Sequence, residues 1–124
     1  MNSLFLLASA FAAFVAGLHV VLGGRETARP LLATDSLADI AKFTSYYCWH
    51  LVSIVLAALA AGFAWAAFHP QEMGLAYGLT ALAAMFALLS IAMVARFRLS
   101  PWLLPQWLLF AGLAALGAIG IATA

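Results

Sequence analysis

Hydrophobic positions along the chain gather into four long runs, at about residues 4–22, 43–68, 74–95 and 102–121, parted by three polar interruptions. A helix rising 1.5 Å per residue needs roughly 20 apolar residues to cross about 30 Å of hydrocarbon. Each run meets or approaches that length. The pattern therefore predicts an all-α fold: a four-transmembrane-helix bundle, up-down-up-down, forming one integral membrane domain over residues 1–124.

The interruptions set the expected ends. Gly23-Gly24 and Pro30 predict that the first helix stops before the charged stretch Arg25-Glu26-Thr27-Ala28-Arg29. Asp35 is an expected N-cap, with Asp39 one turn later where a carboxylate favours the positive end of a helix. A second helix from there to Phe68 exceeds thirty residues, so its first turns should project from the bilayer or lie along it. His69-Pro70-Gln71-Glu72 predicts a tight turn, and Arg96-Phe97-Arg98 closes the third helix. Ser100-Pro101 predicts the N-cap and first turn of the fourth helix, with Pro105 either in that turn or at a kink. Ala8-Ser9-Ala10 imitates a signal-cleavage site, but no Lys or Arg precedes the first run while Arg25 and Arg29 follow it. That polarity is the reverse of a signal peptide, and the run reads as a retained helix.

Composition sharpens this. Of 124 residues, 68% are hydrophobic and 7% charged, whereas a water-facing domain carries about a quarter charged residues. A soluble module is excluded. No basic stripe exists to lay along phosphates, which argues against a nucleic-acid partner. The single cysteine, Cys48, excludes an internal disulfide and a multi-cysteine metal site. All five Lys and Arg residues (Arg25, Arg29, Lys42, Arg96, Arg98) fall in the first and third connections. The positive-inside bias puts those connections in the cytoplasm and both termini in the periplasm of a bacterial inner membrane, which the alanine-rich helices suit.

Candidate chemistry centres on Tyr46-Tyr47-Cys48-Trp49-His50-Leu51-Val52-Ser53-Ile54. Projected at about 100° per residue, Phe43, Tyr46, Tyr47, Ser53, Ile54, Ala57, Ala61 and Ala64 share a face with His50, and Cys48, Leu51, Val52, Val55, Leu56, Leu59 and Phe63 lie opposite. Small and polar residues are expected where membrane helices approach closely, so His50 is predicted to point into the bundle. His19 shares a stripe with Ala8, Ala12, Gly23 and Glu26, while Ala10, Ala13 and Gly17 form a second stripe on its back. Gln106, between Trp102 and Trp107, enters from the same side. Together they predict a cytoplasm-proximal polar layer of His19, His50, Tyr46, Tyr47 and Gln106, rimmed by Arg25, Glu26, Arg29, Arg96 and Arg98.

An ionisable group inside a membrane span points to function, because burying it is costly. Plainer readings stand beside it: His19 and His50 as helix-linking hydrogen bonders, the tyrosines and tryptophans as an interfacial belt. As ligands, His19 and His50 suit an axial pair for a b-type haem, with arginines for its propionates, or a quinone head on His50 and Tyr47. As a zinc site they lack third and fourth ligands.

The segment His19-Val20-Val21-Leu22-Gly23-Gly24-Arg25-Glu26, with Trp49-His50 in the next run, resembles small bacterial four-helix inner-membrane proteins. These carry a His-x-x-Leu-Gly loop entry and a Trp-His pair in helix two. The resemblance covers about the first half of the chain. It implies the four-helix topology and interest in His19, Glu26 and His50, and it implies no reaction. The acidic residue usual after Leu-Gly stands here only as Glu26, displaced by Gly24-Arg25. The leading functional expectation is an interaction or accessory subunit, docking on a larger membrane complex or a second copy; the alternative is haem or quinone binding through His19 and His50. A proton-coupled exporter is disfavoured because Glu26, Asp35, Asp39 and Glu72 all fall in or beside connections. An interfacial transferase lacks a nucleophile with an oriented base.

Overall fold

The computed structural model describes residues 1–124 and is all-helical. Helix α1 is one continuous rod, Ser3–Ala33, followed by α2 (Asp39–Phe68), α3 (Met73–Phe97) and α4 (Gln106–Ala122). The first three are long and apolar enough to cross a membrane. α4 is apolar but shorter, at 17 residues.

Contacts between the helices follow fixed registers. Asn2 meets Ala67, Ser9 meets Ala60 and His19 meets Trp49, so α1 and α2 run in opposite directions. Asn2 and Phe5 against Gly120, then Phe11 against Gly112, give the same antiparallel relation for α1 and α4. Thr80 against Gly117 and Ser90 against Trp107 repeat it for α3 and α4. α2 and α3 touch mainly beside their own turn, where Leu79 covers Gly62.

Large side chains enter notches left by small ones. Phe5, Leu56, Leu59, Phe63 and Leu113 are fully buried, and Ala8, Ala12, Ala66, Ala67, Ala76 and Ala83 line the same core. Such close packing of large side chains against small ones is what holds helices together where neither face gains by escaping water. Asn2 caps α1 by accepting from the amides of Leu4 and Phe5, and its Nδ2 donates to the Gly120 carbonyl at 2.9 Å. It therefore ties α1, α2 and α4 together at one end.

Several expected ends are corrected. α1 does not stop before Gly23-Gly24 but continues through a π-helical stretch, His19–Ala28, into a final α segment, Arg29–Ala33. The Arg29 amide donates to the Gly24 carbonyl, five residues back. Neither Gly23 nor Gly24 takes a positive φ, so both continue the helix, and Pro30 falls at the start of the segment that follows, where its missing N–H costs least. Asp35 does not cap α2: the helix begins at Asp39, whose carboxylate lies in the first turn, and Thr34 and Ser36 hydrogen-bond each other instead. α4 begins at Gln106 rather than near Trp102, because Pro105 disfavours helical backbone at Leu104. Its cap comes from another helix. Buried Ser90 of α3 accepts from the Trp107 amide at 3.1 Å and donates to the Leu104 carbonyl at 3.4 Å.

By the α1–α4 register, Gln106 lies level with about Gly17. The α1–α2 hairpin thus extends roughly 20 Å past the start of α4. Lys42 fastens the tip of this extension: it is buried, donates to the Leu32 carbonyl at 3.3 Å, and stands 3.9 Å from exposed Asp35.

Candidate functional site

The polar cluster sits at the base of the projecting hairpin, where α1 passes from α into π geometry. His19 is the first residue of that passage. Its Nε2 lies 3.2 Å from the Trp49 carbonyl and 3.1 Å from Ser53 Oγ, and Ser53 Oγ–H reaches the same carbonyl at 3.3 Å. A carbonyl only accepts, so the contact places the proton on Nε2 and leaves Nδ1 unprotonated in the neutral ring. The His19 ring also stacks on Trp49, with centroids 4.5 Å apart and planes 23° from parallel. Gly23 lies one turn on, where a Cβ would be in ordinary contact with Trp49 Nε1 and His19 Nδ1 at 3.7 and 3.8 Å.

Aromatic contacts extend along α2. The Tyr46 ring is parallel to Trp49 at 6.3 Å, and His50 stands edge-on to both Tyr46 (4.6 Å) and Trp49 (5.0 Å). The sequence expectation that His50 points inward is overturned. His50 is exposed, as are Tyr47, Phe43, Ile54, Ala57 and Ala61, while the α2 stripe that meets its neighbours is Trp49, Ser53, Leu56, Leu59 and Phe63. The reason lies in how sizes match. Ala8 and Ala12 of α1 provide the notches, so α2 contributes the large partners rather than further alanines.

The stripe predicted for α1 fares differently along its length. Ala8 and Ala12 are buried and His19 is partly buried against α2. Glu26 is exposed, because π-helical winding carries it off the face that a 100° projection assigns. Ala10, Ala13 and Gly17, expected to meet a second neighbour, are exposed too.

His19 and His50 stand at a similar level and both rest on Trp49, but they do not form a facing pair. His19 Nε2 is engaged with Trp49 and Ser53, so a haem held axially by both rings would require the indole and that hydrogen bond to move. No three His, Cys, Asp or Glu side chains converge into a metal-binding group. Gln106 is exposed and makes no side-chain hydrogen bond, so it does not join the cluster. Arg96 and Arg98 are exposed at the end of α3, where Arg98 adopts a left-handed cap (φ 51°).

Arg25 and Arg29 border an opening of about 370 Å³ between the π-helical stretch and the start of α2. Val20, Val21, Leu32, Tyr46 and Trp49 wall it and Gly24 lies at its edge. Neither arginine is ion-paired, since the one salt bridge in the chain joins Lys42 to Asp35. A larger opening, about 800 Å³, lies at the far end among the termini and the α2–α3 turn, and no ionisable side chain lines it. The chemistry is therefore at the hairpin base.

Two features escaped sequence reasoning: buried Lys42 and the cross-helix cap from Ser90. A lysine eight residues ahead of His50 reads as a loop charge, and a serine late in an apolar helix has no local partner to announce it. Compared with protein-family models, with curated proteins and with solved structures, the chain matches none.

Proposed function

We propose that this chain is a four-span, up-down-up-down protein of a bacterial inner membrane, with both termini periplasmic, that serves as an interaction or accessory subunit. Its α2 face bearing Tyr47, His50 and Ile54 docks on a neighbouring membrane chain, either a larger complex or a second copy. One observation carries this reading. His50 is exposed at the level of Leu18 and His19, within the apolar part of α1, and neither of its ring nitrogens has a hydrogen-bond partner in the chain. A polar group facing hydrocarbon without a partner costs several kcal/mol in the limit, roughly 2 or more. A second helix supplying an acceptor removes that cost.

Exposed Tyr47 (63%) and Ile54 (65%) on the same side supply apolar contact area around the imidazole. The five cations at one end support the orientation.

Ala57 is exposed two turns along the same face, so Ala57→Cys in a Cys48→Ser background puts the sole thiol there. A benzophenone maleimide attached to it in native membranes and then irradiated should yield one adduct of defined mass. Replacing His50→Leu together with Tyr47→Leu should remove it. A chain that remains monomeric, with no adduct from native membranes, refutes the docking role.

A further inference from the structure

We propose that the opening bordered by Arg25 and Arg29 is a binding site for an anionic phospholipid, its phosphate held between the two guanidinium groups and an acyl chain laid along Val20 and Val21. The proposal rests on the bilayer placement given above, and not on the docking of α2.

Three observations converge on this occupant. The first is charge: Arg25 and Arg29 line one opening and neither has a carboxylate partner, so both are available to a phosphate. The second is polarity along the opening. Val20 and Val21 are each 53% exposed on the side that continues into the apolar span, while the arginines lie beyond them. A free inorganic anion would use only the cationic end; a phospholipid uses both. The third is the aromatic wall. Tyr46 lies one turn nearer the charged end than His50, Trp49 lies between that level and the apolar span, and the Trp49 indole N–H donates to no group within the chain. It is a ready donor for a phosphate or ester oxygen.

The π-helical winding is what brings these parts together. An ordinary α-helix through residues 19–29 would offset Val20 and Val21 from Arg25 and Arg29 differently, and π geometry inside α-helices recurs at functional positions. Gly24 leaves the entrance clear, since a Cβ at that position would meet nothing within 4 Å. Its backbone is thus open to a headgroup without any side chain having to move.

The test uses the full chain in phosphatidylcholine vesicles, with Trp49 as the only tryptophan (Trp65→Phe, Trp102→Phe, Trp107→Phe). Phosphatidylglycerol brominated in its acyl chains should quench Trp49 with an association roughly 25-fold above brominated phosphatidylcholine, taking about fivefold for each arginine at the membrane surface. Arg25→Gln and Arg29→Gln should each lower it about fivefold, and Gly24→Leu, which keeps both charges, should abolish the preference. Should the tryptophan substitutions prevent folding, native mass spectrometry of the unsubstituted protein reads the same thing as retained phosphatidylglycerol, lost in the double glutamine variant. Equal quenching by the two lipids overturns the site, as does release of the quench by excess inorganic phosphate. Absence of any quenching by brominated phosphatidylcholine overturns the bilayer placement itself, while cross-linking from the Ala57→Cys variant reports separately on docking.

Discussion

The bond from His19 to Ser53 joins α1 to α2 at the point where the helical winding changes, and its strength is open to direct measurement. His19→Ala removes the hydrogen bond to Ser53 and Trp49 and the ring stacked on Trp49 at 4.5 Å. An interhelical hydrogen bond within a membrane bundle averages about 0.6 kcal/mol and reaches about 1.7, and a stacked ring pair adds about 0.5–1.5. The expected loss is about 2 kcal/mol. His19→Phe keeps a ring over Trp49 and removes only the hydrogen bond, so it should cost about 1 kcal/mol. Ser53→Ala should cost about 0.5–1, because the Trp49 carbonyl still accepts from His19.

The decisive quantity is the coupling in the double-mutant cycle of His19→Phe with Ser53→Ala, expected at about 0.6 kcal/mol. Unfolding in mixed detergent micelles, followed by Trp49 fluorescence, gives all four corners. A coupling indistinguishable from zero, or a phenylalanine as damaging as alanine at position 19, refutes the assignment of His19 to this bond.

Glycines test the packing of α3 against α4. Gly117→Ala drives a methyl into Thr80, whose hydroxyl is held on the Ala76 carbonyl, and should destabilise by about 1–3 kcal/mol; Gly78→Ala, with open space around it, should stabilise by up to about 1 in the same thermal melts. Ser90→Ala removes the cross-helix cap of α4 and should cost about 1–2 kcal/mol in the same melts, against no loss at exposed Ser45. Lys42 is the only lysine and is buried, so an amine-reactive reagent should leave it unmodified in the folded chain and modify it after denaturation, as read by peptide mass. Labelling of Lys42 at the folded stage would show that the hairpin tip is open.

What the sequence revealed and what it concealed have one physical origin. Run length alone is enough to find helices, and the α2–α3 turn at His69-Pro70 is announced by its proline. Facing is another matter. α3 and α4 are apolar nearly all round, so no moment distinguishes inside from outside, and even in α2 the rule that small residues face protein pointed the wrong way. Notch and knob belong to different helices, and the pair Ala12 with Leu56 is invisible until the two helices are set side by side. The likeness of His19 and His50 in depth was readable from their distances to the charged connection. Which of them turns inward depended on that pairing.

The break predicted at Gly23-Gly24 failed for a reason that bears on function. Glycines and a proline end a helix when the freed backbone groups find water; here the amide of Arg29 finds the carbonyl of Gly24 instead, and the rod continues in wider form to Ala33. The same glycines that read as a stop lie within the π-helical stretch, Gly23 beside Trp49 and Gly24 at the clear opening. Were the chain to break at Leu22, His19 would become a helix-terminal residue, and Arg25 and Arg29 would sit on a loop with no fixed relation to Trp49. The hairpin base gathers imidazole, indole and guanidinium groups into one place because the helix winds through its own breakers.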